Sequence, residues 1–336
     1  MPDSVILAIE TSCDDTAAAV VEGTNVLSNV ISSQAVHDLW GGIVPELASR
    51  EHVLSVVPIV KAALRDADRS LDDIDAIAVT NGPGLPGSLT VGTQFARGLA
   101  LRRSIPLIPV HHIEAHIYSP YLEDPGIGFP AVCLVVSGGH TAIVHLSGFA
   151  EYTVLGLTRD DAAGEAFDKV AKMLGLGYPG GPHIDRLAAE GKADAIQFPR
   201  GLLHDGSYDF SFSGLKTAVR YYLRDHQNAR IEDVCASTQA AIVDVLVAKT
   251  IAAAKAYQVT SILLSGGVAA NRMLRQRMES QASLLGCTFV APRQGYSVDN
   301  AAMIGFLASH RLEQGYAVHP THIRIQPSAL RAVRPI

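Results

Sequence analysis

Val110-His111-His112-Ile113-Glu114-Ala115-His116 and a distant Ser297-Val298-Asp299-Asn300 carry the residues with the clearest chemistry in this 336-residue chain. On a helix successive side chains turn by about 100°, so His112 and His116 project within roughly 40° of each other and can share one ion. Two imidazoles and the Asp299 carboxylate make a three-ligand set that leaves coordination positions open for a substrate. Glu114 points almost the opposite way. A zinc peptidase of the His-Glu-x-x-His type needs its general base directly after the first histidine, and here that place holds Ile113. The peptidase reading therefore lacks its base. Histidines four apart also occur on ordinary helices, so the rest of the chain must decide between ligand and bystander.

The segments that would position these residues form two half-chains with the same opening. Val5-Ile6-Leu7-Ala8-Ile9, the polar turn Glu10 to Thr16, and Ala17-Ala18-Ala19-Val20-Val21 read as strand, acidic turn, strand. Ala131 to Val136, then Ser137-Gly138-Gly139-His140-Thr141, then Ala142 to Leu146 repeat that layout. A duplicated domain follows, and two such hairpins, each opening a half of mixed strands and helices, are the pattern of a split nucleotide-binding fold of the actin and sugar-kinase type. The ligand is expected between the halves. The expected fold class is α/β: a duplicated, actin-like (ribonuclease H-like, ASKHA) two-lobed fold, with residues 1–128 expected as the first lobe, completed by 299–336, and 129–298 as the second.

Other apolar runs end in glycine turns. Ala76 to Thr80 precedes Asn81-Gly82-Pro83-Gly84-Leu85-Pro86-Gly87, and Ile262-Leu263-Leu264 precedes Ser265-Gly266-Gly267. Glycine there lets backbone amides approach anionic oxygens, although strand-to-helix connections also carry glycine for steric reasons alone. Asn271 opens a segment of helix formers, where it can cap the helix or bond a ligand. Helical patterns cover Pro45–Leu64, Thr93–Leu101, Asp160–Leu174, Thr238–Tyr257 and Asp299–Gln314. In the third, Glu165 and Asp168 are placed to bond a ribose or hydroxyl, or to form an ordinary acidic face. Gly177 to Pro182 follows as a turn with Asp185 just beyond it. Tyr208 to Thr217 reads as an aromatic loop or strand entering a helix, a packing element or a substrate-facing lid.

Composition narrows the class. With 48% hydrophobic residues the chain buries a sizeable core. Cys13, Cys133, Cys235 and Cys287 are scattered and form no Cys-x-x-Cys pair, which supports neither a disulfide framework nor a thiolate zinc knot and fits a reducing cytoplasm. Met1-Pro2-Asp3-Ser4 brings no basic leader, and no uninterrupted apolar run has the length of about 18 residues that a membrane span needs, so neither export nor a membrane is expected. A formal charge of −6 argues against a surface coated in basic residues, and any RNA contact must be local or shared. Arg311, Arg324, Arg331 and Arg334 near the end, with Arg272, Arg275 and Arg277, are candidate phosphate contacts or solvated faces.

Taken together, the motifs resemble the tRNA N6-adenosine threonylcarbamoyltransferases, the TsaD group once labelled O-sialoglycoprotein endopeptidases, nearly end to end. The resemblance is carried by Glu10 to Thr16, Gly41 to Arg50, Gly82 to Gly87, His112 to His116, Ser137 to Thr141, Gly164 to Asp168, Tyr178 to Pro182, Phe212 to Thr217, Ser265 to Arg272 and Asp299 to Met303. Pro45-Glu46-Leu47-Ala48-Ser49-Arg50 is similar to the bacterial branch, and no fused kinase domain follows. Asp15 stands where many relatives have Glu, and Ile43 where many have Val. The resemblance implies transfer of a threonylcarbamoyl group from threonylcarbamoyl-AMP to N6 of the adenosine at position 37 in tRNAs reading codons that begin with A, with AMP leaving. It implies His112, His116 and Asp299 as ligands of one divalent ion, iron or zinc. It implies an adenylate site of Val135, Val136, Ser137, Gly138, Gly139, Asp168, Gly181, Asp185 and Asn271. A role for His140 in orienting the donor or reaching the ion is a further expectation, while no general base is evident. The implied partners are a TsaB-like paralogous subunit, a TsaE-like ATPase subunit and tRNA.

Three rivals stand beside this reading. An actin-fold phosphotransferase would use Asp14 or Asp15 to activate a hydroxyl, but such kinases hold magnesium through carboxylates and phosphates and need no paired histidines. A non-catalytic scaffold would not need the histidine pair. The metalloendopeptidase of the old family label needs a base that Glu114 is misplaced to supply.

Overall fold

The computed structural model describes residues 4–40 and 42–328, so Gly41, Arg331 and Arg334 of the motifs above lie outside the described residues. The chain divides into two compact units, Met1–Leu122 with Val298–Val333, and Glu123–Ser297.

The first unit is built on β1 (Val5–Glu10), β2 (Asp15–Glu22), β3 (Asn25–Ser33), β4 (Ala76–Gly82) and β5 (Leu107–His111), in one sheet of order β3-β2-β1-β4-β5. β1 runs antiparallel to β2, pairing Val5 with Glu22 and Glu10 with Ala17, and parallel to β4. Every residue of β1 is buried. Its unbroken apolar run, with no alternation, suits a central strand covered on both faces. α1 (Pro45–Asp66) and α2 (Pro86–Arg103) supply part of that cover, with Val56, Val60, Ala63, Ala96 and Ala100 packed in one cluster with Leu7, Ile9, Ile77 and Val79. α2 begins at Pro86, seven residues before the expected Thr93. Proline's fixed φ suits the first helical position, so the glycine-rich run that reads as a turn also starts a helix. Gly92 is needed inside it, because a Cβ there would stand 2.2 Å from the Thr11 hydroxyl. β5 leads into α3 (His112–Tyr118).

The second unit repeats the scheme with β6 (Ala131–Val136), β7 (Thr141–Gly148), β8 (Glu151–Leu157), β9 (Ser261–Ser265) and β10 (Thr288–Val290), in the order β10-β9-β6-β7-β8. β6 is antiparallel to β7 and parallel to β9, as β1 is to β2 and β4. Strand order and strand sense are thus shared by the two units, which is what a duplication requires. Its helices are α4 (Ala163–Met173), α5 (Gly180–Ala188), α6 (Ser213–Asp225), α7 (Ile231–Ala256), α8 (Arg272–Leu284) and α9 (Gln294–Ser297), and the chain then returns to the first unit as α10 (Ala301–Glu313).

α7 starts at Ile231, ahead of the expected Thr238, because its polar first turn holds Glu232 and Asp233, which favour a helix N-terminus. It is long and apolar enough to cross a membrane, yet 89% of its most apolar window is buried inside the protein, as in a core helix. Phe210 and Phe212 are buried and stacked 6.2 Å apart, so the aromatic segment before α6 packs into the core of its unit.

Candidate functional site

α3 puts both histidines where one ion can reach them. His111, at the end of β5, caps the helix by accepting a bond from the Glu114 amide at 3.3 Å. His112 and His116 follow one turn apart, their ring centroids 4.7 Å from each other and their planes at 89°. Asp299 arrives from the far end of the chain just before α10, whose cap, Asn300, accepts from the Met303 amide at 3.0 Å. Asp299 Oδ1 lies 3.0 Å from His116 Nε2 and 3.5 Å from His112 Nε2. One ligand atom from each residue falls within 4.8 Å of the others. Bonds of about 2 Å to a shared tetrahedral ion separate ligand atoms by roughly 3.5 Å, so the set fits a single metal ion with little movement.

Behind His112 stands a residue that the motif reading did not assign to the site. Glu10, fully buried at the end of β1, has its Oε2 3.1 Å from His112 Nδ1. The same oxygen accepts from the Thr80 hydroxyl, and Oε1 accepts from the Ser12 amide. Burial works against the ionised Glu10, but the charge and bond of His112 hold its carboxyl below the ordinary range. An ionised carboxylate only accepts, so His112 Nδ1 carries a proton toward Glu10, and the other ring nitrogen, Nε2, faces Asp299. Burial pulls the His112 imidazole down, yet the Asp299 and Glu10 carboxylates outweigh it and raise it to about 9. Burial lowers His116. An acidic residue closing an otherwise apolar strand was the available signal for Glu10.

The acidic turn between β1 and β2 is also perturbed. Burial and the Asp299 charge raise Asp14 and raise Asp15 to about 7. Glu114, by contrast, is turned away from the imidazoles: its carboxylate meets the Arg311 guanidinium at 2.7 Å, both side chains being about nine-tenths buried. Burial raises its carboxyl, with Arg311 opposing. Arg311 also donates to the Pro109 carbonyl at 2.7 Å, so it is neither a solvated face nor free for phosphate, as its place in a basic stretch suggested. The second arginine group is paired as well, though Arg272 and Arg277 remain exposed. Arg272 binds Asp185 at 2.7 Å, Arg275 donates to the Ala269 and Pro292 carbonyls, and Arg277 meets Asp244.

In the second unit the remaining candidates gather around the β6–β7 turn. Ser137 to His140 closes on itself, the Ser137 amide donating to the His140 carbonyl at 2.8 Å and the His140 amide to the Ser137 hydroxyl at 3.2 Å. Val135 and Val136 are buried in β6, whereas Gly138 and Gly139 are exposed. The Gly164 amide donates to the Ser137 carbonyl at 3.1 Å, which docks the start of α4 on the turn. Asp168 of α4 accepts from the Gly180 amide at 2.7 Å, bringing the start of α5, and so Gly181, alongside. Asn271 caps its helix and also joins a side-chain network. Its Oδ1 caps α8 through the Leu274 amide at 2.9 Å, while its Nδ2 donates to Gln239 at 2.8 Å and to Asp185 at 3.3 Å. Gln239, buried in α7, is a second residue the motifs did not reveal, although a glutamine amid an apolar helix marks a polar contact. Glu165 pairs with Lys169 at 2.8 Å, the ordinary i,i+4 helical ion pair. Within this unit the start of α4 thus lies against the β6–β7 turn, the start of α5 against Asp168, and α8 is capped by Asn271.

Fold and site together define a class, an α/β protein with a duplicated actin-like core and a two-imidazole, one-carboxylate group suited to one metal ion. Solved structures share that fold at low identity. Component A of the (R)-2-hydroxyglutaryl-CoA dehydratase of Acidaminococcus fermentans aligns at a TM-score of 0.57 and 14% identity, over 92% of this chain and 99% of that one. HypF of T. kodakarensis aligns at 0.62 and 15%, over 93% of this chain and 48% of its own. The family model for tRNA N6-adenosine threonylcarbamoyltransferase, TsaD, matches residues 25–306. The enzyme of that name from Moorella thermoacetica is 53% identical over 91% of each chain, and that from Salinibacter ruber is 51% identical over 96% of this chain and 99% of its own. This chain belongs to the tRNA N6-adenosine threonylcarbamoyltransferase family. It is therefore a tRNA-modifying transferase, and the phosphotransferase and peptidase readings are not favoured.

Proposed function

We propose that this chain transfers the threonylcarbamoyl group of threonylcarbamoyl-AMP to N6 of the adenosine at position 37 in tRNAs that read codons beginning with A. The observation that carries the reading is the meeting of His112, His116 and Asp299 within 4.8 Å, in a chain of this family. The donor is a mixed anhydride of a carbamate and a phosphate, already activated, so the protein mainly aligns it with a weakly nucleophilic amine and stabilises developing negative charge. A bond forms from N6 to the carbamoyl carbon, the bond from that carbon to the phosphate oxygen breaks, AMP leaves with the electron pair, and N6 loses a proton. That proton passes to phosphate, water or a neighbouring carboxylate.

In this reading the backbone of Val135, Val136, Ser137, Gly138 and Gly139 cradles the donor's phosphate. Asp168 and Asp185 take hydroxyl groups of the donor, with Gly181 and Asn271 completing the adenylate site. His140 orients the donor. His112, His116 and Asp299 hold one divalent ion, iron or zinc, which when bound would supply a Lewis acid for the donor's oxygens. Glu10 and the Glu114–Arg311 pair keep the ligand-bearing segments in place.

The reaction belongs in the cytoplasm, with a TsaB-like paralogue and a TsaE-like ATPase as partner subunits and a separate synthase making the adenylate. Formation of the modified adenosine from threonine, bicarbonate and ATP, with partner proteins present, tests the reading. Omitting this chain should abolish product, and undiminished product without it would overturn the proposal. The isolated chain should turn over poorly until the partners are added.

A further inference from the structure

We propose that Glu10 is a positioning residue of the metal site, an outer carboxylate that fixes the His112 ring and balances the charge of a divalent ion. The inference rests on His112, His116 and Asp299 being the ligands. Glu10 is completely buried, and both its oxygens are occupied, Oε1 by the Ser12 amide and Oε2 by the Thr80 hydroxyl and His112 Nδ1. An isolated carboxylate in such a place costs several kcal/mol unless a cation lies close. Among the described residues no lysine or arginine pairs with it, and its ion-pair partner is His112 alone. A ligating imidazole is neutral, so once an ion is bound the positive charge against which Glu10 is set lies on the far side of that ring.

Two consequences follow. The ring of His112 is held from both ends, Nδ1 by Glu10 and Ser12 at 3.1 Å each and Nε2 toward Asp299, so its donor atom is aimed before any ion arrives. Such outer partners orient a ligating imidazole and raise its basicity. The second consequence concerns charge. Asp299 alone would leave a divalent ion with excess positive charge among buried groups, whereas Asp299 and Glu10 together neutralise it.

Zinc affinity measured by chelator competition, with the visible spectrum of the cobalt(II)-loaded protein, tests this on the full chain. Glu10→Gln keeps shape and removes charge; zinc affinity should fall by about 10–100-fold and the cobalt bands should shift. A merely structural role would not move the cobalt spectrum. If Glu10→Gln does not yield folded protein, Thr80→Val decides, because it removes one bond to Oε2 and keeps the charge; a loss of roughly 2–10-fold is expected there. His116→Ala is the control for the ligand reading. Zinc lost in His116→Ala but bound as tightly by folded Glu10→Gln as by the unaltered chain, or by Thr80→Val where that variant decides, overturns the role of Glu10 alone. Zinc retained by His116→Ala overturns the ligand assignment on which it rests.

Discussion

Glu114 and Arg311 stand 2.7 Å apart, with side chains only 10% and 11% exposed, and join the helix that carries both histidines to the helix that follows Asp299. The pair does for the metal group what neither segment could do alone, because α3 is only seven residues long. Removing one partner of a buried ion pair strands the other charge, at about 3–5 kcal/mol. Glu114→Ala should therefore lower the free energy of unfolding by about that amount, measured by urea titration with the ion removed. A loss within about 0.5 kcal/mol would mean that the pair is dispensable.

His116→Ala and Asp299→Ala should each abolish stoichiometric metal while leaving the far-ultraviolet circular dichroism unchanged, since the two side chains meet each other, outside the apolar core cluster of their unit. In the unaltered chain, zinc at a hundred times its dissociation constant should add about 2.7 kcal/mol of stability, and in the variants it should add nothing. Full metal content in both variants would remove them from the ligand set.

The sequence disclosed more of the duplication and the ligand set than of what supports them, and the reason is physical. β1 and β6 are read easily because central strands have unbroken apolar runs and end in polar turns. His112 and His116 are read from helical spacing, since one turn fixes their mutual direction. Nothing local tells Glu10 that His112 lies 102 positions away, or tells Arg311 that Glu114 awaits it at a separation of 197. Those contacts are set by sheet order and by the return of α10. The start of α2 was obscured differently, because Pro86 and Gly87 carry turn and helix-start signals at once.

Asp160 supplies the cap that α6 lacks in its own sequence. Phe212, at the cap position, offers no side-chain bond, and Asp160 accepts instead from the Phe212 and Ser213 amides at 2.8 and 3.2 Å and from the Ser211 and Ser213 hydroxyls. Burial pushes this carboxyl up, but the four bonds outweigh it and hold it below its ordinary value of 3.8. A depressed carboxylate contributes stability that is complete above the unfolded-state value and is lost as pH falls through the folded one. Asp160→Asn should cost about 1 kcal/mol at neutral pH and should flatten the decline of stability below pH of about 4. An acid limb identical in slope to that of the unaltered chain would assign the pH dependence elsewhere.

Two glycines near the β6–β7 turn separate fold from binding. A Cβ on Gly164 would lie 2.5 Å from the Ser137 carbonyl oxygen and 2.7 Å from Gly138 Cα, both backbone atoms that can yield only by moving the turn. Gly164→Ala should cost about 1–3 kcal/mol of stability and also weaken AMP binding. Gly139, exposed, has open space where a Cβ would go and no left-handed φ. Gly139→Ala should therefore keep its stability within about 0.5 kcal/mol yet bind AMP less tightly, because a methyl group stands where the phosphate must approach the amides. Calorimetric titration with AMP reads both. If Gly139→Ala binds AMP as the unaltered chain does, the phosphate does not lie against the Gly139 amide, whatever Gly164→Ala does.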